Sequence, residues 1–284
     1  MDPAPALFPH RPLAGQQLER HTMKKLATLA ALAALALPVI ATEVTSSNVV
    51  GYQKLAIPAN GYALLANPFV QIGTGSSTPE GYALNDMFID DTENSTAGRA
   101  ATQGDQIQTW DSARQGYSTY FFSSWVNKWA GSNPRAATED AFNFGDGYWY
   151  LNRSDSAFEL TVSGEVSEQE VTVTLIANGF TLVCNPFPAD LPLNSESINW
   201  VSAGATAGRA ATQGDQIQIW NTETQGYTTY FFSSWVNQWA GSNPRAATAD
   251  SIPAGQGFWY LNRGDSDITI TLKSPLAPAV SAGE

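Results

Sequence analysis

From residue 44 onward, apolar and polar positions alternate in short runs, and turn residues cut each run off. This is the signature of half-buried strands joined by tight connections. Residues 48–57 and 62–66 read as two strands, with the turn Pro58-Ala59-Asn60-Gly61 between them. Asn67-Pro68 ends the second, because proline has no N–H to give the ladder. Residues 70–95 are rich in Gly, Ser, Thr, Pro and Asp and read as a loop with a short helical turn near Leu84 to Phe88. Strands follow at Ile107 to Trp110 and Tyr117 to Phe122, joined by a turn at Gln115-Gly116. Ser123-Ser124 turns the chain into a strand from Trp125 to Ala130, and Gly147 to Asn152 and Phe158 to Val162 complete the set. Alternation assigns faces: Ile107 and Thr109 oppose Gln106 and Gln108, and Tyr148 and Tyr150 oppose Trp149 and Leu151. Tyr117, Thr119 and Phe121 oppose Ser118, Tyr120 and Phe122, while Trp125, Asn127 and Trp129 share one face.

The pattern then repeats. Residues 96–153 and 206–263 are identical at 44 of 58 positions without a gap, and Val171 to Phe187 aligns with residues 53–69 at an offset of 118. A tandem duplication governs the domain reading: unit 1 over 44–165 and unit 2 over 166–275, with a Pro- and Ala-rich tail at 276–284. The expected fold is all-β, two tandem β-sandwich-like units. Identity is concentrated in Thr96–Arg153 and its copy, as recent copying would produce, so it is weak evidence for function.

Composition changes the picture at the N-terminus. Residues 23–41 have Lys24 and Lys25 before a short apolar run, Leu26 to Leu37, and small residues before Thr42, the form of a secretory signal peptide. Met23 is then the expected initiator, with residues 1–22 a mis-called extension and Thr42 the mature start. The expected localisation is secreted: extracellular, cell surface or periplasm, with no membrane anchor after signal removal. Without its first 41 residues the chain has 10 basic and 24 acidic residues, a net of −14. Such a chain repels phosphate backbones and shows no basic run, so nucleic acid is a poor partner.

Both histidines, His10 and His21, precede Met23, which leaves the body of the chain without the side chain that serves most nucleophilic triads and many metal sites. Cys184 is the single cysteine and aligns with Ala66, which suits a small, buried, inert thiol. No cofactor motif is present, so none is expected.

The order ANGYALLANPF, GDQIQTWD, GYSTYFF and GQGFWYLNR resembles a β-rich repeat module of secreted and cell-surface bacterial proteins, with the hallmarks G-x-x-L-x-x-N-P-F and P-x-G-Q-G-F. Copy two carries the fuller form, IPAGQGFWY, and copy one departs from it with FNFGDGYWY. The resemblance implies a β-sandwich-like module and no activity.

Candidate chemistry rests on aromatics. Each unit has four aligned tryptophans, 110, 125, 129 and 149 in the first and 220, 235, 239 and 259 in the second. Aromatics on both faces of a sheet exceed what one core needs. The surplus face is covered by another layer or by the sister unit, stacks on sugar rings, or mediates self-association. The candidate ligand-binding residues are Tyr117, Trp125 and Trp129, with Tyr227, Trp235 and Trp239. Asp105/Asp215, Asp140/Asp250 and Asp155/Asp265 recur alongside Arg99/Arg209, Arg135/Arg245 and Arg153/Arg263, most simply as ion pairs and loop hydrogen bonds. A glycosidase needs two placed carboxylates, yet Asp111 becomes Asn221 and Asp146 becomes Gln256. The run Asp90 to Asn94 offers oxygen ligands for calcium but has no EF-hand spacing and reads as a solvated loop. The expected role is a non-enzymatic binding module for polysaccharide or surface polymer. The alternatives are a self-associating structural protein and, last, a glycan-active enzyme.

Overall fold

A computed structural model describes residues 50–70, 82–87, 92–167 and 169–276. The signal peptide, the extension before it, the proposed mature start, Phe88 of the helical turn, the start of the acidic run and nearly all of the tail lie outside these residues.

The fold is all-β. In the first copy, strands β2 (Tyr62–Ala66), β4 (Gln106–Asp111), β5 (Gly116–Ser123), β6 (Lys128–Ala130) and β8 (Gly147–Leu151) form an antiparallel sheet in the order β2-β8-β4-β5-β6. A long ribbon of β1 (Val50–Ile57) and β9 (Phe158–Glu165) lies across it, and β3 (Tyr82–Ala83) pairs with β7 (Ala141–Phe142). One turn of helix, α1 (Leu84–Met87), sits where the sequence places one.

The second copy repeats the plan. Its sheet is β11-β17-β13-β14-β15, from β11 (Gly179–Cys184), β13 (Gln216–Asn221), β14 (Gly226–Ser233), β15 (Gln238–Ala240) and β17 (Gly257–Asn262). Strands β10 (Val171–Leu175) and β18 (Ile268–Leu272) make its ribbon, and β12 (Leu191–Pro192) pairs with β16 (Ser251–Ile252). A second helical turn, α2 (Trp200–Ala203), carries the ninth tryptophan.

Each ribbon packs on one face of its own sheet and encloses a core. In copy one the core joins Leu55, Ile57, Leu160 and Val162 of the ribbon to Ile107, Phe122, Trp129, Tyr148 and Tyr150 of the sheet. Leu175, Ile270 and Leu272 meet Ile217, Phe232, Trp239, Phe258 and Tyr260 in copy two. The alternation in Ile107, Phe122 and the Tyr148-Trp149-Tyr150 run therefore assigns core faces as expected from period two.

The other face of each sheet meets the sister copy. Leu64, Trp149 and Trp259 are buried there, flanked by Trp110, Phe180, Leu182 and Trp220. The contacts come in pseudo-twofold pairs. The Trp110 indole N–H donates to the Phe180 carbonyl at 3.0 Å, and the Trp220 N–H to the Tyr62 carbonyl at 3.0 Å. The Gln115 amide donates to the Phe180 carbonyl and accepts from its N–H (2.8 and 3.0 Å), and Gln225 does the same to Tyr62 (2.9 and 2.8 Å). Trp110 stands edge-on to Trp259 at 5.0 Å between centroids, as Trp149 does to Trp220 at 5.0 Å. This is the self-complementary geometry of a twofold homodimer, built inside one chain.

Several residues of the sequence hallmarks acquire a local reason here. A Cβ on Gly257 would lie 3.0 Å from Leu64 of the other copy, and one on Gly147 would lie 3.3 Å from Leu182. Asn67 and Asn185 are buried and accept from the N–H of Phe69 and Phe187, whose rings enter the two cores.

Candidate binding site: two arginine-flanked tryptophans

The six candidate aromatics fall into three settings. Trp129 and Trp239 are 1% and 0% exposed, packed in their own cores against Phe122 and Phe232. They have no surface with which to stack on a ligand. Tyr117 and Tyr227 are half-exposed at the rim of the seam between copies, edge-on to Trp259 and Trp149 of the opposite copy. Trp125 and Trp235 are each 50% exposed.

Trp125 does not share a strand face with Trp129. Strand β6 begins only at Lys128, and Ser124 to Asn127 form a four-residue hairpin loop after β5. Asn127 takes a left-handed conformation (φ 50°), which Asn tolerates, and its N–H donates to the Ser123 carbonyl at 2.8 Å. The loop interrupts period two and leaves the Trp125 indole outside the ladder. The signal in the sequence was the Asn between the two tryptophans, a turn residue inside an apparent strand.

Three backbone segments hold this indole. The first, residues 96–104, lies beside β5 at Gly98, whose N–H donates to the Phe122 carbonyl and whose carbonyl accepts from Ser124, both at 2.9 Å. A Cβ at Gly98 would lie 2.2 Å from the backbone nitrogen of Gly104, so only glycine lets the 96–104 segment fold back this tightly beside β5. The second is the hairpin loop, where Trp125 N–H donates to the Ser123 hydroxyl at 3.2 Å. The same hydroxyl donates to the Pro134 carbonyl at 2.5 Å and ties down the third segment, residues 131–138. Copy two has the same bonds at Gly208, Ser233, Trp235 and Pro244.

The first and third segments each deliver an arginine to the indole. The guanidinium carbon of Arg99 lies 5.7 Å from the Trp125 ring centroid and that of Arg135 lies 4.8 Å from it. Around Trp235 the distances are 5.8 Å for Arg209 and 4.6 Å for Arg245. Each such contact at an exposed site is worth about 0.5–1 kcal/mol, enough to orient the side chains and too little to account for fold stability.

The recurring aspartates serve as anchors. Asp105 is fully buried and accepts from the N–H of Thr96 (3.0 Å), the N–H of Arg153 (2.8 Å) and the Tyr150 hydroxyl (3.1 Å). Asp215 repeats this with Thr206, Arg263 and Tyr260 at 2.8, 2.7 and 2.6 Å. Burial pushes the Asp105 carboxyl up, against the pull of the two backbone N–H donors. Burial likewise raises the Tyr150 hydroxyl, with the Asp105 charge adding to it. These acids hold the segment that carries Arg99, through backbone groups rather than through ion pairs with the recurring arginines. Asp140 accepts from the Thr138 hydroxyl at 2.9 Å, closing the end of the Arg135 segment. Cys184 is buried, donates to the Gly145 carbonyl of the other copy, and has its thiol pushed well up by burial.

Two residues that sequence reasoning passed over belong to the same framework. Asn85, in the helical turn α1, and Asn194, in the turn after β12, lie in diverged segments, yet each donates to and accepts from the backbone of Trp129 or Trp239, at 2.8–3.2 Å. They secure the strand that follows the exposed tryptophan.

No protein-family model, curated protein or solved structure matches this chain.

Proposed function

We propose that this is a secreted, non-enzymatic binding protein that attaches to polysaccharide through Trp125 and Trp235. The observation that carries the reading is the pair of half-exposed indoles, each fixed in the same three-segment frame. Burying the exposed half of a tryptophan returns about 2–3 kcal/mol before association costs, so one indole alone binds more weakly than about 5 mM. Two sites in one compact unit (Asn48–Glu284) multiply that without new contacts. The seam between copies supports a rigid spacing, which a repeating polymer would match.

The self-association alternative would have to use surfaces other than the seam face, which the sister copy occupies. Affinity electrophoresis of the full chain against a panel of polysaccharides separates the readings. Retardation that vanishes in the Trp125→Ala, Trp235→Ala double variant and falls partway in each single variant is expected. Indifference to every glycan, with concentration-dependent assembly in sedimentation, would replace this reading with the structural one. Release of soluble sugar would replace it with the enzymatic one.

A further inference from the structure

Three of the ten Lys and Arg side chains in the body of the chain form ion pairs among the described residues. Lys54 pairs with Glu159 at 2.8 Å, Arg114 with Asp111 at 2.5 Å and Lys273 with Glu170 at 3.1 Å, while Arg153 donates to the Gly104 carbonyl. Arg99, Arg135, Arg209 and Arg245 make no side-chain hydrogen bond or ion pair among the described residues, and all four are exposed. The segments that carry them, 96–104 and 123–138 with their copies 206–214 and 233–248, contain no Asp or Glu, on a chain whose body has a net charge of −14. Lys128 is a further exposed cation in the second of these segments, and Gln238 stands at that position in its copy.

A guanidinium resting over an indole keeps its in-plane N–H donors free, and its planar fork matches the two oxygens of a carboxylate or sulfate. The indole therefore pre-orients two donor sets beside one apolar surface. We infer that each site takes an acidic sugar, the ring against Trp125 or Trp235 and its carboxylate or sulfate on the flanking arginines, so that the ligand is an anionic polysaccharide. This rests on the carbohydrate reading above and narrows it. Overall negative charge opposes a polyanion at long range, but at about 0.1 M salt that repulsion is screened beyond roughly 10 Å while contact pairs persist.

The test uses the full chain and three polymers: polygalacturonate (carboxylate), chondroitin sulfate (carboxylate and sulfate) and neutral dextran. Retardation by one or both acidic polymers and not by dextran is expected, with the preferred one naming the acid group. Arg135→Gln with Arg245→Gln should weaken it by at least about tenfold, since hydrogen bonds to charged groups are among the stronger ones. Arg135→Lys with Arg245→Lys, which keeps the charge and loses the fork, should fall between the two. Binding should vanish in about 1 M NaCl, where screening reaches within about 3 Å. Thermal unfolding of each variant, unchanged within a few degrees, shows that the frame survives. Equal retardation by dextran and acidic polymers, insensitive to salt and to the Gln variants, overturns the anionic ligand and leaves the tryptophan platform standing. Absence of retardation by every polymer, neutral ones included, overturns both.

Discussion

Trp125 and Trp129 are four residues apart, and both recur with the same neighbours at 235 and 239. One pair is half-exposed and flanked by cations; the other is sealed in the cores. The difference arises from one turn. Strand residues after Asn127 resume the alternation and point Trp129 inward, while the residue two before it has left the ladder. Equal retention in a repeat thus says nothing about equal role: burial decides whether an indole stabilises the fold or offers a surface.

The sharpest way to break that comparison is to remove one member at a time. Trp239→Ala removes a ring packed edge-on against Trp200 (5.2 Å), Phe232 (5.4 Å) and Tyr260 (5.8 Å). It should cost about 3–5 kcal/mol in urea unfolding, the range for large core truncations. Trp235→Ala should cost less than about 1 kcal/mol, since the loss is one exposed ring and weak cation contacts. Comparable losses from the two variants would mean that Trp235 is a structural residue after all.

A smaller effect is expected from the seam. Gln115→Ala with Gln225→Ala removes paired hydrogen bonds at rim positions that water can reach, so about 1–2 kcal/mol in total is expected. Amide exchange at Tyr62 and Phe180 should quicken first, because their N–H groups donate to these two glutamines. Exchange rates that do not change would show that the two glutamine amides do not hold the copies together.

The last effect is on pH dependence. Burial, helped by neighbouring Asp140 and Asp250, pushes Tyr120 and Tyr230 up to about 12 from an ordinary value of 10.0. The native state then holds protons that the unfolded chain has released, so stability should fall as pH rises from about 10 to about 12. Below about 10 both states are protonated and no change is expected. Urea midpoints measured across this window should fall less steeply in the Tyr120→Phe, Tyr230→Phe variant, with part of the slope kept by Tyr148, Tyr150 and Tyr260, whose hydroxyls burial also raises. Ordinary titration of these hydroxyls in the folded protein, read by ultraviolet difference spectra, would sink the claim.

Much of the fold was legible in the chain. Period-two alternation placed Ile107, Phe122, Tyr148 and Tyr150 inward, and Asn60 and Gln115 marked turns that do take left-handed backbone, at φ 47° and 50°. The short helical turn after Tyr82 was also visible. The error at Trp125 came from extending a period across a loop whose turn residue, Asn127, is not followed by glycine. Expected ion pairs between the recurring Asp and Arg residues gave way to backbone hydrogen bonds, because a buried carboxylate such as Asp105 is satisfied most cheaply by nearby N–H groups.

The sequence by itself determined most of the strands, the inward faces of Ile107, Phe122, Tyr148 and Tyr150, and the duplication, because each depends on local spacing or on direct identity. Tertiary structure alone decided the rest. That the second aromatic face is a seam between copies follows from pairing Trp149 with Trp220 and Leu64 with Gly257, residues distant in the chain, which no local pattern encodes. Bringing Arg99 and Arg135 to one indole required three segments to converge through Gly98, Ser123 and Asp105. Alternation counts positions along one strand; a site assembled from three loops depends on where separate strands leave the sheet.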